Sequence, residues 1–191
     1  WPHRHPGLDG CMTPTLFQRL MGAEFYHLAD EVKALHSRRG ESRYVGQCTV
    51  ERGRKPVGRM ACLRFGLPPG MRDAPIRVDF DAQGARETWQ RSFNGSPMRS
   101  RLRFDGGLLL DQTGPARFHF RLFRIGKELH WVAERGTVLR LFPLPERWLD
   151  GVRCREYAED GRYRFEVEAR LPMFGRLLRY EGWLLPEPDA A

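Results

Sequence analysis

The sequence has four cysteines, and no two of them form a CxxC pair. They are widely spaced along the chain, at Cys11, Cys48, Cys62 and Cys154. This spacing argues against a zinc ribbon and against a dithiol redox site, and we predict no metal centre and no cofactor. A domain of 191 residues does not need disulfides for its stability. We therefore expect reduced thiols and a cytoplasmic location.

The chain also lacks long apolar runs and several well-known catalytic motifs. No stretch approaches about 18 apolar residues and no apolar signal-peptide core is present, so we expect no membrane span. The absence of GxSxG, P-loop and GxGxxG motifs argues against nucleophilic hydrolysis, nucleoside triphosphate binding and dinucleotide binding. The histidines form no HExxH pair. No catalytic residue can be assigned, and the question of enzymatic activity stays open.

Lysine is scarce, although the chain is basic. The formal net charge is +8, from 32 Lys and Arg against 24 Asp and Glu, and only Lys33, Lys55 and Lys127 are lysines. Arginine favours planar, bidentate contact with carboxylate or phosphate, but a GC-rich genome produces the same bias. The charge indicates a salt-sensitive attraction to anionic partners.

What the sequence does contain is strict alternation of apolar and basic residues, which is clearest between residues 96 and 123. Met98, Ser100, Leu102 and Phe104 alternate with Arg99, Arg101 and Arg103, and Phe118, Phe120 and Leu122 alternate with Arg117, His119 and Arg121. A period of two is the side-chain period of a β-strand, so each run predicts a strand with one apolar and one basic face.

The remaining segments predict one β-rich domain with helices at its front. Residues 11–40 show helical spacing, with Thr13-Pro14 as the predicted helix start and Gly22 as a break. About nine to ten strands follow, joined by turn signals such as Asn94-Gly95 and Asp160-Gly161. We predict a mainly β (α+β) fold, a curved antiparallel sheet or β-barrel whose open side the N-terminal helices cover. Its boundaries are a linker or tail at 1–10, the domain at 11–185 and a tail at 186–191.

Several segments, in this order, resemble a bacterial family known as domain of unknown function 4166. They are LFQRLMGAEFYHLADEVKALH, GQCTVERG, a short helix ending GLPP, ETWQRSF, RSRL, the PLP segment and DGRYRFEVEARLPMFGRLLRYEGWL. The resemblance covers roughly residues 14–185. It implies no catalytic residues, but it implies a dehydrogenase-like partner domain, because family members can follow a short-chain-dehydrogenase-like or saccharopine-dehydrogenase-like domain.

The basic strand faces have two interpretations. If the two alternating strands pair, Arg99, Arg101 and Arg103 lie beside Arg117, His119 and Arg121 and form an anion site. Alternatively, Asp79, Glu166 and Glu168 on other strands neutralise them, which is the interpretation we favour. A nucleic acid is not expected as a partner, because the aromatic residues fall on the opposite face from the cations.

The apolar strand faces provide the candidate binding site. A barrel of this size either fills its interior with side chains or holds a small apolar ligand. The predicted ligand-binding residues are Trp89, Arg91, Phe93, Phe104, Phe118, Phe120 and Tyr163. If Arg91 faces inward, it is a buried cation that needs an anion, from Glu87 or from a ligand head group; if it faces outward, it is an ordinary surface arginine.

We therefore predict a module that binds an apolar or acyl-type small molecule such as a lipid, accessory to an oxidoreductase domain. One alternative is an enzyme of unknown reaction that uses the same cavity. The other is an interaction module that binds an acidic partner through the arginine-rich face.

Overall fold

Eleven strands, three α-helices and two 3₁₀ helices, the second at Glu146–Gly151, lie within residues 13–188, the part of the chain that this computed structural model describes. The predicted linker at 1–10 and part of the predicted tail at 186–191 lie outside the described residues. The strands are β1 (Gly40–Arg52), β2 (Met71–Gln83), β3 (Arg86–Phe93), β4 (Ser96–Asp105), β5 (Leu108–Thr113), β6 (Ala116–Ile125), β7 (Glu128–Val138), β8 (Phe142–Pro143), β9 (Val152–Glu159), β10 (Arg162–Leu171) and β11 (Gly175–Pro186). No helix among these residues is long and apolar enough to span a bilayer.

The strands form a closed antiparallel barrel. From β6 the order runs β5, β4, β3, β2, β1, β11, β10, β9, β7, and an additional β6–β7 pairing joins the two sides. Ten strands therefore make the barrel, and the short β8 pairs only with β7. This arrangement confirms the predicted mainly β fold with a barrel of about ten strands.

Tight turns at the predicted dipeptides join neighbouring strands. Asn94 and Gly95 have φ of 46° and 88°, and Asp160 and Gly161 have φ of 52° and 68°. Two successive residues with positive φ match the twist of a two-residue hairpin loop, and Asn, Asp and Gly adopt this conformation most readily. Both predicted hairpins, β3–β4 and β9–β10, are present.

The predicted N-terminal helical region consists of three short helices. They are α1 (Leu16–Met21), a 3₁₀ helix (Gly22–His27) and α2 (Asp30–His36). The break at Gly22 is confirmed, and this residue has a φ of 56°. The predicted helix start at Thr13-Pro14 is wrong. Thr15 caps α1 instead, because its hydroxyl accepts from the Gln18 backbone N–H while the Gln18 side chain accepts from the Thr15 N–H.

The N-terminal helices cover one end of the barrel, which we call the closed end. Phe17 of α1 is fully buried; its ring stacks on His36 of α2 at 3.7 Å and lies 5.5 Å from the Trp131 ring of β7. The Ala29 N–H donates to the Lys127 carbonyl in the β6–β7 turn, which fixes α2 to this end. These contacts make the helices part of the hydrophobic core.

The opposite end, which we call the open end, carries α3 (Pro56–Arg64) between β1 and β2. The Phe65 carbonyl after α3 lies against Gly114 in the β5–β6 turn, and the Lys55 side chain before it lies against Gly175. The segment 139–151 follows β7 at the same end, because Val138 pairs with Ala116 beside that β5–β6 turn. Short connections therefore surround this end, where α3 lies on the rim.

Candidate functional site

The barrel interior contains a cavity of about 200 Å³. Side chains from every barrel strand except β1 line it, and most of them are apolar; they include Ile76, Val78, Phe80, Trp89, Met98, Phe118, Phe120, Trp131, Val152, Phe165, Leu178 and Leu184. A dry apolar cavity of about 150 Å³ is already large enough to bind benzene. This cavity can therefore hold a small apolar molecule.

Five of the seven predicted binding residues line the cavity: Trp89, Arg91, Phe118, Phe120 and Tyr163. The other two do not. Phe93 is fully buried and packs edge-to-face on the Tyr180 ring at 5.3 Å, so it belongs to the core. Phe104 lies under the Arg19 guanidinium, 4.5 Å from its ring centre, and attaches α1 to the barrel. The role of the five cavity residues in ligand binding stays a prediction.

Arg91 faces inward, and its side chain is enclosed by the barrel. Burial alternates along β3, so that Glu87, Trp89, Arg91 and Phe93 all face the interior, and Arg91 is only 9% exposed. Glu87 does not supply the expected anion. Its carboxylate accepts from the Trp89 indole N–H at 2.8 Å, and burial raises the pKa of Glu87.

A chain of hydrogen bonds leads from Arg91 to a second polar group in the cavity. Arg91 donates to the Ser100 hydroxyl at 2.7 Å, Ser100 and Thr113 share a hydrogen bond of 2.8 Å, and Thr113 donates to Asp111 at 3.0 Å. Desolvation raises the pKa of Asp111, and the nearby Arg91 charge opposes this rise. The two charges are thus linked through hydroxyl groups rather than by a direct ion pair.

The Arg91 guanidinium keeps unused donors. Among the described residues, Ser100 is its one hydrogen-bond acceptor, and the Trp89 ring lies 5.0 Å from the guanidinium carbon. A guanidinium has five N–H donors in a planar fork that fits a carboxylate, sulfonate or phosphate. The cavity therefore offers apolar walls with a fixed cation, an arrangement that suits an apolar molecule with an anionic head group.

A second polar cluster reaches the cavity from the closed end. His36 Nε2 and Glu156 Oε2 are 2.5 Å apart, and both side chains are almost fully buried. Glu156 lines the cavity together with Tyr163 and Cys154. Burial first and the Glu156 charge second raise the pKa of Tyr163 and of Cys154 well above their ordinary values, so both are neutral at physiological pH.

The two rows of basic residues do not lie side by side on the outer wall of the barrel, as one of the predictions required. β5 lies between β4 and β6, so their two rows of cations are not adjacent. The predicted neutralising carboxylates bind other arginines: Asp79 pairs with Arg43, Glu166 with Arg155 and Glu168 with Arg153. Within residues 13–188, no ion pair involves Arg99, Arg101 or Arg103, which form an exposed row on β4.

Several polar cavity residues were missed at the level of the sequence. Asp111 and Thr113 share the inward face of β5 with the buried Leu109, and Glu156 shares the inward face of β9 with Cys154. The available signal was a polar residue at an apolar position of a period-two pattern. That signal drew attention only to Arg91, because an arginine between two aromatic residues departs most clearly from the pattern.

These features define an antiparallel ten-stranded barrel with an apolar internal cavity and a few buried polar groups. The chain belongs to the family described as "Domain of unknown function (DUF4166)", whose model matches residues 28–184. This match confirms the resemblance found in the sequence.

Two further comparisons concern individual proteins. The crystal structure of Rv2717c from M. tuberculosis aligns with a TM-score of 0.43 and 12% sequence identity, covering 84% of this chain and 99% of that chain. No curated protein matches the sequence.

Proposed function

We propose that this domain binds an apolar or acyl-type small molecule inside the barrel, with an anionic head group of that molecule at Arg91. The observation that carries the proposal is a buried guanidinium with unused donors in an otherwise apolar cavity. A buried cation is costly unless it is paired, and a ligand anion would provide the partner that Glu87 does not. The apolar walls, including Trp89 and Phe120, would bury the rest of the ligand.

The size of the cavity limits the ligand. About 200 Å³ is below the range of about 300–1,000 Å³ that is usual for drug-sized ligands. It exceeds the volume that accommodates a single aromatic ring. We therefore expect short acyl chains to bind without rearrangement of the barrel, and affinity to fall when the chain outgrows the space.

Isothermal titration calorimetry with octanoate and with octanol tests this proposal. Both molecules have the same apolar chain, but only octanoate has an anionic head group. We expect Arg91→Met to weaken octanoate binding by about tenfold to a hundredfold, the value of a charged hydrogen bond, and to leave octanol binding nearly unchanged. Arg99→Met removes an exposed cation from the outer wall and is the matched control.

Two results would contradict the proposal that an acyl ligand binds in the cavity with its head group at Arg91. If neither molecule binds the wild-type protein, the cavity does not serve short acyl ligands. If octanoate binds Arg91→Met as well as it binds the wild type, the head group does not lie at Arg91.

The pH dependence of binding provides an independent test. The raised pKa of Asp111 means that its carboxyl group takes up a proton at higher pH than an ordinary aspartate. Protonation removes the one negative charge in the Ser100–Thr113 network, so Arg91 becomes more attractive to an anion. We expect octyl sulfonate, which stays ionised, to bind more tightly as pH falls through that raised pKa. Asp111→Asn should bind octyl sulfonate more tightly than the wild type at neutral pH and lose most of this dependence.

An enzyme that uses the same cavity is the second candidate. The short His36–Glu156 contact and the neighbouring Tyr163 favour it, because such groups can exchange protons with a bound molecule. A turnover of a bound acyl compound that Glu156→Gln abolishes, while binding persists, would support this candidate over simple binding.

Two partner proposals remain from the sequence. The exposed row of Arg99, Arg101 and Arg103 supports an acidic partner on the outer wall, and Arg99→Glu combined with Arg101→Glu should abolish such a salt-sensitive interaction. The oxidoreductase partner domain rests on the resemblance alone. Co-purification of this domain with a dehydrogenase-like protein from its own organism would test it.

A further inference from the structure

The sequence around α3 carries charge of one sign. Residues 52–72 contain six cations and no acidic residue: Arg52, Arg54, Lys55, Arg59, Arg64 and Arg72. Arg52 donates to the backbone carbonyls of Leu67 and Pro68. The other five are exposed, and in the part of the chain that the structure describes none of them forms an ion pair. This segment therefore presents a local positive potential.

The same helix exposes large apolar side chains. Val57, Met60 and Leu63 follow one another at helical spacing on the outer face of α3, and Met60 and Leu63 are 71% and 73% exposed. The opposite, barrel-facing side of α3 is buried through Gly58 and Cys62. A helix usually turns its apolar residues inward, so α3 presents an apolar face that nothing in the described chain covers.

Neighbouring connections at the open end add to this surface. Leu141 and Phe142 in the segment after β7 are 79% and 62% exposed, and Met173 in the β10–β11 turn is 71% exposed. Arg140 and Arg147 lie beside them in the chain and form no ion pair among the described residues. We call α3, residues 139–147 and the turn at 172–174 the rim surface.

The rim surface surrounds the cavity at the open end. Phe65 and Leu67, directly after α3, line the cavity, and so does Leu144 next to Phe142. The segments that carry the exposed rim residues therefore also contribute to the cavity wall.

We propose that the rim surface docks onto an anionic lipid bilayer. Exposed methionine, leucine and phenylalanine side chains insert at the boundary between head groups and acyl chains, and surrounding arginines and lysines attract anionic lipid head groups. We infer a lipid bilayer rather than a protein partner because the rim surface combines an excess of cations with exposed apolar side chains. An acidic protein partner would complement the charges but would not need so many exposed apolar groups around them. Docking would place the open end of the cavity against the acyl chains.

Co-sedimentation with lipid vesicles tests the proposal without any cavity ligand. We expect the full chain to bind vesicles of phosphatidylglycerol mixed with phosphatidylcholine, more weakly at high salt, and not to bind vesicles of phosphatidylcholine alone. Arg59→Glu combined with Arg64→Glu, and separately Met60→Ser combined with Leu63→Ser, should each reduce the bound fraction at least about tenfold. Circular dichroism melting curves verify that each variant is folded.

Two matched controls separate docking from general charge and general hydrophobicity. Arg99→Glu combined with Arg101→Glu makes the same change of net charge on the outer wall. Tyr26→Ser combined with Ile125→Ser removes two exposed apolar groups, 65% and 56% exposed, from the closed end. We expect both control variants to bind vesicles within about twofold of the wild type.

Three results would overturn the proposal. The first is absence of wild-type binding to phosphatidylglycerol vesicles. The second is equal loss of binding in the β4 charge control, which would show attraction by net charge alone. The third is a dimer, seen by analytical ultracentrifugation, that only the Met60→Ser and Leu63→Ser variant disrupts; the rim surface would then be an interface between copies of this chain. Octanoate binding measured on the same variants is independent of these outcomes, so failure of docking and failure of ligand binding are distinguishable.

Discussion

Short helices lie at both ends of the barrel, but they bury their apolar side chains to very different extents. At the closed end, α1 and α2 bury Leu16, Phe17 and Val32 completely. At the open end, α3 buries only its small residues and exposes Met60 and Leu63. The comparison teaches that an apolar side chain at helical spacing does not identify the barrel-facing side of a helix. The closed end therefore contributes to the core, whereas the open end leaves large apolar side chains exposed.

The largest expected effect is at the closed end. Phe17→Ala removes a fully buried ring that contacts His36 and Trp131. A Phe-to-Ala change in a core costs about 3–5 kcal/mol, and we expect this loss in the free energy of unfolding measured with urea. A loss below about 1 kcal/mol would mean that the closed end does not depend on α1.

The next largest loss in the free energy of unfolding is expected when the buried contact between α2 and the barrel is removed. Glu156→Leu leaves the buried His36 Nε2 without its hydrogen-bond partner, and a buried polar group left unsatisfied costs about 1–3 kcal/mol. The double variant His36→Leu with Glu156→Leu removes both polar groups and should be more stable than Glu156→Leu alone. Urea denaturation of the wild type, the two single variants and the double variant measures the coupling; strict additivity would contradict the pairing.

The helix cap at Thr15 should have a smaller effect. Its hydroxyl accepts from the Gln18 N–H and also donates to the His36 carbonyl at 2.9 Å, so it joins α1 to α2. Loss of an N-cap costs about 1 kcal/mol, and we expect this decrease for Thr15→Ala in thermal unfolding. Thr15→Ser keeps the hydroxyl and should restore most of the stability; an equal loss in both variants would assign the effect to the methyl group instead.

The smallest effect is expected at the open end. Met60→Ser combined with Leu63→Ser changes two exposed side chains, and exposed substitutions usually alter stability by less than about 0.5 kcal/mol. Urea denaturation measures this value. A cost close to that of Phe17→Ala would show that the rim residues are packed in solution and would end the contrast between the two ends.

Much of the fold follows from local patterns in the sequence. The alternation in β3, β4 and β10 and the turns at Asn94-Gly95 and Asp160-Gly161 predict paired antiparallel strands, and these pairs are present. The start of α1 was misplaced because Thr13 and Thr15 are both acceptable caps. The sequence does distinguish them, because Gln18 follows Thr15 by three residues and completes a capping box, whereas Leu16 occupies the corresponding position after Thr13.

The candidate site was less accessible to sequence reasoning. Alternation shows that Arg91 and Trp89 share a face, but not which side chains from other strands stand opposite them. Asp111 is linked to Arg91 by hydrogen bonds through Thr113 and Ser100. These two residues belong to different strands, so the network depends on the register of β4 and β5. The volume of the cavity depends on closure of the whole barrel and has no local signature.

The pairing of β1 with β11 also has a kinetic consequence. The Glu187 N–H donates to the Arg43 carbonyl, and these residues lie 144 positions apart in the chain. Gly46 and Gly182 occupy this junction, where a Cβ atom would lie 1.8 Å and 2.2 Å from carbonyl oxygens of the facing strand. During synthesis β1 therefore has only β2 of its two sheet neighbours until β11 leaves the ribosome. Contacts so distant in sequence slow folding, and closure of the barrel is expected to be a late step in which an unpaired β1 edge is exposed to other chains.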